Sequence, residues 1–269
     1  MLKSRLLVAA IGIPVGIIVV VLGGPLFFAA ALVLALLGLH EYYTLVRPYR
    51  PNLLMGYVAA IALVAGAWFG GMTGLLAGLA ALPLLLFLWG TGGRLGHHLV
   101  GRMAVTVLGI VWIAGGFSYL VLLRNLPHGM AMVLIPLGGA WLGDTFAYAV
   151  GRLIGRHRLA PRISPKKTVE GALGGLLGAI VWTLGVKIYS PWLPLSSALL
   201  LGLVVGVAAL VGDLFESMVK RDLQVKDAGS LLRGHGGILD RFDSVLFTGV
   251  AAYWAVLLLL RAAVPGLPS

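Results

Sequence analysis

The chain has 269 residues, of which 60% are hydrophobic and only 11% are charged, and it contains no cysteine. A soluble domain carries about 25% charged residues, so this composition excludes one and predicts a protein whose solvent is lipid. The absence of cysteine also excludes disulfides and thiolate metal sites. A net charge of +11 would suggest nucleic acid as the partner of a soluble protein, but in a membrane protein it is typical of basic cytoplasmic loops. We therefore predict a bilayer, and no nucleic acid, as the partner.

Apolar runs long enough to cross a membrane occur nine times along the chain. A spanning helix needs about 20 mainly apolar residues. The runs cover approximately residues 5–22, 25–46, 53–70, 72–91, 101–123, 129–151, 168–189, 195–217 and 241–262. The first run resembles a signal peptide, but it lacks a clear cleavage site and a second apolar run follows at once, so an uncleaved span is favoured. The sequence thus predicts an all-α polytopic integral membrane protein with about nine transmembrane helices.

The distribution of basic residues predicts the orientation of these helices. When the N-terminus is placed in the cytoplasm, all but three of the 20 Lys and Arg residues fall on the cytoplasmic side, the exceptions being Arg124, Lys187 and Arg261. This asymmetry follows the positive-inside rule. It predicts an odd number of spans, a C-terminus outside, and a multi-pass protein of the inner (cytoplasmic) membrane.

The nine acidic residues are concentrated in the second half of the chain. Only Glu41 precedes residue 129. We therefore predict that residues 1–128 form a scaffold of transmembrane helices. Residues 129–269 are predicted to form the half that carries the function, with cytoplasmic loops at 152–167 and 218–240.

Several of these acids lie in or beside predicted spans, where ionisable groups are costly and mark function. Asp213, Glu216, Ser217 and Lys220 have spacings that place them on one helix face, as do Asp240 and Asp243. Carboxylates grouped in this way suit either an ion path through the membrane or a Mg²⁺ site completed by phosphates. Salt bridges are the alternative, and we favour them for Asp222 and Asp227.

The two loops beside these acids favour phosphate chemistry. Both contain Lys, Arg and Gly, and such residues suit phosphate oxygens and close backbone approach. Carboxylates, a metal ion and lysine together are typical of phosphoryl or nucleotidyl transfer. The glycines between 171 and 178 are interpreted instead as close helix packing. Ser164 and Thr168 are interpreted as caps of the helix that begins near 168, and His157 as a surface group.

The run from Ser217 to Asp243, SMVKRDLQVKDAGSLLRGHGGILDRFD, resembles the signature of the phosphatidate cytidylyltransferase (CDP-diacylglycerol synthase) family. It matches at Ser217, Lys220, Arg221, Lys226, Asp227, Gly229, His235, Gly236, Gly237, Asp240, Arg241 and Asp243. It departs at Arg233, where the family usually has Pro, Gly or Ser. The upstream stretches around Asp144, SPKKTVEG from Ser164 and GDLFES from Gly212 are also similar to the family, so the resemblance covers about residues 140–245.

The resemblance implies a reaction in which CTP and phosphatidate give CDP-diacylglycerol and pyrophosphate. It implies Mg²⁺, as one ion or two, held by Asp213 and Asp240 and then by Asp243 and Asp144. The catalytic residues it implies are Asp213, Asp240, Asp243, Lys226 and His235. The substrate-binding residues it implies are Lys167, Ser217, Lys220, Arg221, Gly236, Gly237 and Arg241. A monovalent cation and a homodimer are compatible with the family.

Two alternatives are weaker, because the signature run argues against the first and the first half of the chain has no acid except Glu41 to support the second. One is another CTP-using enzyme, either a lipid kinase or a different CDP-lipid synthase. The other is a cation or proton transporter that uses the intramembrane acids, which predicts inverted repeats and broken helices in both halves.

Overall fold

The computed structural model describes residue 12 and residues 14–92, 98–225, 228–229 and 237–268. Residues 14–22 are helical. The helices that follow are α1 (Gly24–Leu45), α2 (Leu53–Gly92), α3 (Leu99–Gly109), α4 (Gly115–Asn125), α5 (Gly129–Ile154), α6 (Val169–Ile188), α7 (Leu195–Asp222) and α8 (Leu239–Leu260). A short 3₁₀ turn, Arg47–Tyr49, follows α1, and a π-helical turn, Ile110–Ala114, joins α3 to α4. The described chain is therefore almost entirely helical, as predicted.

Seven helical segments among the described residues are long and apolar enough to cross a membrane, when α2 and the continuous α3–α4 are each counted once. Their bounds agree with the predicted spans to within a few residues, because lipid requires long apolar helices with internally satisfied backbone groups. This confirms a multi-pass helical architecture.

Helix α2 is two helices in space. Its 40 residues would measure ~60 Å if straight, about twice the hydrocarbon thickness. At Gly71 the backbone leaves helical geometry, with φ 59° and ψ −144°, a conformation that favours glycine. A Cβ built on Gly66 would lie 2.7 Å from the carbonyl oxygen of Gly74. Residues eight apart therefore touch, so the chain doubles back at Gly71, and the two halves correspond to the predicted spans 53–70 and 72–91.

The chain divides into two compact units, Met1–Asn125 with Asp227–Asp240, and Leu126–Lys226 with Arg241–Ser269. In the first unit the core lies around two buried tyrosines of α1. The hydroxyl of Tyr43 donates to the carbonyl of Thr106 at 3.0 Å, and the ring of Tyr42 packs edge-on against Trp112. The predicted division of labour between residues 1–128 and 129–269 concerns function and stays a prediction.

In the second unit α5 and α6 pack closely along a seam of small residues. A Cβ added to Gly143 would lie 3.1 Å from the carbonyl oxygen of Gly175, and one added to Gly171 would lie 2.9 Å from the carbonyl oxygen of Ala147. Small residues at this spacing let the helix backbones approach closely. The resulting van der Waals packing holds the helices together in lipid, where the hydrophobic effect does not drive their association. The interpretation of glycines 171–178 as packing residues is confirmed.

Replacement of Gly178 by alanine should destabilise this seam. Its Cβ would lie 2.9 Å from the carbonyl oxygen of Leu142, which is backbone and cannot move aside cheaply. We expect a loss of ~1–3 kcal/mol, as for other overpacked cores. Thermal unfolding in detergent would measure it, with Gly185→Ala as the control, since a Cβ at Gly185 meets nothing within 4 Å. Equal unfolding temperatures for the two variants would contradict the prediction.

A small antiparallel hairpin interrupts the helices, and the sequence reading did not predict it. It consists of β1 (Arg158–Ala160) and β2 (Ser164–Thr168), with Arg158 opposite Thr168 and Ala160 opposite Ser164. The loop predicted over 152–167 is therefore partly strand, and Ser164 is a strand residue rather than a helix cap. Thr168 does cap α6, because its hydroxyl oxygen accepts the N–H of Gly171 at 3.1 Å.

Glu170 holds the hairpin at its base. Its carboxylate accepts the backbone N–H of Arg156 at 3.1 Å and that of His157 at 3.2 Å. It also contacts the imidazole Nδ1 of His157 at 2.6 Å, and the His157 side chain is 78% exposed, as expected of a surface group. These contacts fix the chain that enters β1 against the start of α6.

Candidate functional site

A cavity of about 380 Å³ lies in the second unit, between α5, α6, α7 and the hairpin. Its walls are glycine and alanine residues of the α5–α6 seam, together with Leu159 and small residues of α7. The charged and polar side chains that line it are Asp144, Tyr148, Arg152, Lys166, Lys167, Thr168 and Asp213. A pocket with small walls and a few convergent polar groups is typical of a ligand site.

Lys167 and Asp213 form an ion pair across this cavity. Lys167 comes from β2 and Asp213 from α7, so the hairpin and the helix each contribute one charge. Both side chains keep some exposure, 22% for Lys167 and 32% for Asp213. Each charge is thus neutralised by the other, and the Nζ atom of Lys167 is itself buried in the pair.

Two further acids predicted as site residues, Asp144 and Asp243 of α8, lie close to this pair. Asp144, on α5, interacts electrostatically with Asp213, Asp243 and Lys167. The hydroxyl of Ser217 approaches the Asp213 carboxylate at 3.4 Å, one turn along α7. Asp144, Lys167, Asp213 and Asp243 therefore come from four separate elements into one group, called here the acid–lysine group. The structure places these predicted residues together.

Glu216 belongs beside this group, although the sequence reading did not include it among the site residues. It is 2% exposed, and its carboxyl group lies close enough to that of Asp243 for the two to interact electrostatically. The Nζ atom of Lys220 contacts Oε2 of Glu216 at 2.7 Å. Two carboxyl groups in contact need a shared proton or a cation. The available signal was the spacing of Glu216 from Asp213, which places the two acids on one helix face.

Close approach of α8 to α7 makes this carboxyl contact possible. A Cβ on Gly212 would lie 2.8 Å from the carbonyl oxygen of Asp243 and 2.9 Å from Cα of Ser244. Glycine next to Asp213 therefore lets the two helices meet at the level of the acids. The GDLFES stretch supplies both the carboxylates and the gap that α8 fills.

Two arginines near the cavity are already engaged by protein groups. Nε of Arg221 donates to the carbonyl of Ile163 at 3.2 Å, which ties the end of α7 to the turn of the hairpin. An Nη of Arg152 donates to the Tyr148 hydroxyl at 3.0 Å. The predicted phosphate role of Arg221 stays a prediction, and its described contact is with the hairpin.

Asp240 lies in the first unit, in the first turn of α8. Its carboxylate accepts the N–H of Ala228 at 3.0 Å and that of Gly237 at 2.7 Å. Arg241, the next residue, is exposed. The predicted roles of Asp240 and Arg241 stay predictions. Lys226, His235 and Gly236, and likewise Arg233, lie outside the described residues.

The acid–lysine group fits Mg²⁺ by donor chemistry. No group of three or more His, Asp or Glu side chains within the described ranges is placed to hold a metal ion by itself. Mg²⁺ usually binds through one or two carboxylates and completes its octahedron with water and substrate phosphates. The carboxylates of the acid–lysine group are consistent with that mode of binding, in which substrate phosphates supply the remaining ligands.

Comparison with known proteins adds an independent line of evidence. The model of the cytidylyltransferase family matches residues 3–259. A phosphatidate cytidylyltransferase of Synechocystis sp. is 37% identical, covering 96% of this chain and 97% of that protein. The Mycobacterium bovis protein of that name is 34% identical over 93% of this chain and 87% of its own length. Phosphatidate cytidylyltransferase 4, chloroplastic, of Arabidopsis thaliana is 33% identical over 94% of this chain and 72% of its own. The similarity extends well beyond the signature run.

Proposed function

The chain belongs to the cytidylyltransferase family, and we propose that it is a phosphatidate cytidylyltransferase, which transfers the cytidylyl group of CTP to phosphatidate. The products are CDP-diacylglycerol and pyrophosphate, so the enzyme serves phospholipid biosynthesis. The observation that carries this proposal is the acid–lysine group at a cavity lined by Arg152, Lys166 and Lys167. That combination suits anionic phosphates together with a divalent cation.

The reaction joins two anions. A phosphate oxygen of phosphatidate attacks the α-phosphorus of CTP, the bond from that phosphorus to the β-phosphate oxygen breaks, and pyrophosphate leaves. The barrier is largely charge repulsion and positioning, so electrostatic stabilisation is the main catalytic requirement. No protein nucleophile is needed for a direct displacement.

The cavity residues divide into two roles. Lys166, Lys167 and Arg152 attract and orient phosphate oxygens, since their cations form strong charge-assisted hydrogen bonds with them. Asp213 with Asp144 or Asp243 would hold Mg²⁺, and the bound ion would neutralise charge on the phosphates. Asp240 is proposed as a further ligand on the basis of the family resemblance.

The ion pair of Lys167 and Asp213 implies an exchange of partners on substrate binding. Lys167 would turn to a phosphate oxygen, and the carboxylate of Asp213 would then be free to hold the cation that accompanies the nucleotide. Opposite charges thus stay paired before and after binding, which limits the desolvation cost at a partly buried site.

The proposed topology places the site where its substrates meet. We propose nine spans, an N-terminus in the cytoplasm and a C-terminus outside, in the inner membrane. The hairpin and the basic end of α7 then face the cytoplasm, as the positive-inside rule requires. CTP would enter from the cytosol and phosphatidate from the bilayer. A homodimer and a requirement for a second or monovalent cation remain proposals from the resemblance.

Turnover of radiolabelled CTP tests the proposed function. Purified protein in detergent, supplied with phosphatidate and Mg²⁺, is expected to release pyrophosphate and to form a labelled CDP-lipid. Failure of both products to appear would refute the proposal.

Replacement of phosphatidate by diacylglycerol in this assay distinguishes the proposed transferase from a CTP-dependent lipid kinase. A CTP-dependent lipid kinase would phosphorylate diacylglycerol and release CDP, whereas no labelled lipid is expected from diacylglycerol here. Cation or proton flux into vesicles that contain the protein, without CTP turnover, would favour the transporter.

A further inference from the structure

Glu41 is the single acid of the first 128 residues, and the sequence reading assigned it to the scaffold. It lies near the end of α1 and is only 3% exposed. Glutamate is almost never fully buried unless it is paired, because removing a carboxylate from water is costly. A buried Glu41 therefore requires partners that a scaffold helix in lipid does not supply.

The partners of Glu41 come from the beginning of α8. Its Oε2 accepts the backbone N–H of Leu239 at 2.9 Å, a contact between residues 198 positions apart. A Cβ on Gly229 would lie 2.6 Å from Oε1 of Glu41, and the Glu41 carboxylate also lies against Gly237. Glycine at 229 and 237 is what leaves room for this side chain.

Asp240 binds backbone amides of the same two segments. Its carboxylate accepts the N–H groups of Ala228 and Gly237. Glu41 and Asp240 together hold three backbone amides, from the segment 228–229 and from the segment 237–239, all within the first unit. The orientation of the Asp240 carboxylate is thus coupled to Glu41 through the short backbone of the first turn of α8.

We infer that Glu41 is a positioning residue for cytidylyl transfer, which acts by fixing the backbone of residues 228–229 and 237–239 around Asp240. The inference rests on the proposed function, since Asp240 is a proposed metal ligand of that reaction. It assigns a role in the chemistry to a helix of the half predicted to be scaffold. Glu41 itself touches no substrate.

Kinetics of Glu41→Ala and Glu41→Gln test the inference. Loss of positioning should act on the chemical step, so kcat should fall about 10–100-fold in Glu41→Ala while KM for CTP changes less than about threefold. Glu41→Gln keeps the length and one acceptor oxygen for Leu239, so its kcat should lie between those of Glu41→Ala and the wild type.

Amide hydrogen exchange gives a readout that does not depend on activity. In protein without substrate, Glu41→Ala should raise the exchange rate of peptides that cover residues 237–240 at least tenfold. Peptides from α6 should keep their wild-type rates, because α6 belongs to the other unit. Unchanged exchange at 237–240 would overturn the anchoring role even if the protein proved to have a different activity.

The contact with Gly229 allows a coupling test. Gly229→Ala alone should lower kcat, since its Cβ cannot coexist with the Glu41 carboxylate in its present position. In the double variant with Glu41→Ala the obstruction is gone, so kcat should be no lower than in Glu41→Ala alone. Gly185→Ala, whose Cβ meets nothing within 4 Å, is the matched control and should leave kcat unchanged.

The outcomes are distinguishable from failure of the proposed function. If the wild type forms no CDP-lipid, the proposed function fails, and exchange still decides the anchoring. If the wild type is active and Glu41→Ala retains kcat within twofold, or the two substitutions are additive, the positioning role is refuted.

Discussion

Replacement of Asp213 by asparagine is expected to lower kcat about a thousandfold or more, which corresponds to ~4 kcal/mol of transition-state stabilisation. Asp213 lies at the centre of the acid–lysine group, where it pairs with Lys167 and interacts with Asp144. Asparagine keeps the shape of the side chain but removes the charge that would hold Mg²⁺ and balance the lysine. Initial rates of CDP-lipid formation across a Mg²⁺ series would measure the effect.

The same helix offers a matched control for Asp213. Asp222 lies at the exposed end of α7, outside the cavity, so Asp222→Asn should keep its rate within about twofold. Thermal unfolding of both variants in detergent should remain close to the wild type. A folded Asp213→Asn protein with near wild-type turnover would remove Asp213 from the proposed metal site.

Replacement of Lys167 by methionine is expected to lower kcat/KM for CTP about 100- to 1000-fold, as for the loss of a single preorganised donor. The same change leaves the carboxylate of Asp213 without its counter-charge. Binding of Mg²⁺ to the protein without nucleotide should therefore become tighter while use of CTP becomes worse. Titration calorimetry with Mg²⁺ and initial-rate kinetics would measure these opposite changes.

Lys187, in the last turn of α6, provides the control for Lys167. It lies about 30 Å along that helix from the hairpin end, given a rise of ~1.5 Å per residue, so Lys187→Met should change neither quantity. Lys167→Arg keeps the cation and should retain a larger share of activity than Lys167→Met. Weaker Mg²⁺ binding in Lys167→Met would argue against the ion pair as a competitor of the metal.

The helices could be predicted from sequence because their determinants are local. Lipid demands an apolar stretch of fixed length, and glycine or proline marks the breaks, so spans such as 129–151 and 168–189 agree closely with α5 and α6. The hairpin could not be predicted in this way. The sequence of β2, SPKKT, has no apolar alternation and contains proline, so it lacks the pattern of a strand.

The site residues that stand out as charges in an apolar stretch could be predicted from the sequence. Those whose role depends on contacts between distant parts of the chain could not. Asp144, Lys167, Asp213 and Asp243 stood out because charge is conspicuous in apolar surroundings, and the structure brings them together. Glu216 was not selected because its interaction with Asp243 joins two helices, and no local pattern records it. Glu41 was missed because its partner is distant in sequence, and no local pattern records such a contact.

The α5–α6 seam has a consequence for engineering. Gly143, Gly151, Gly171 and Gly175 line the cavity and also bring the two helices together. Thermostabilisation by glycine-to-alanine exchange is a common route to a more rigid protein. Here the added methyl groups would occupy part of the cavity and would force α5 and α6 apart. Heat-tolerant variants should therefore be sought at glycines outside the seam, such as Gly101 or Gly185, where a methyl group meets nothing within 4 Å.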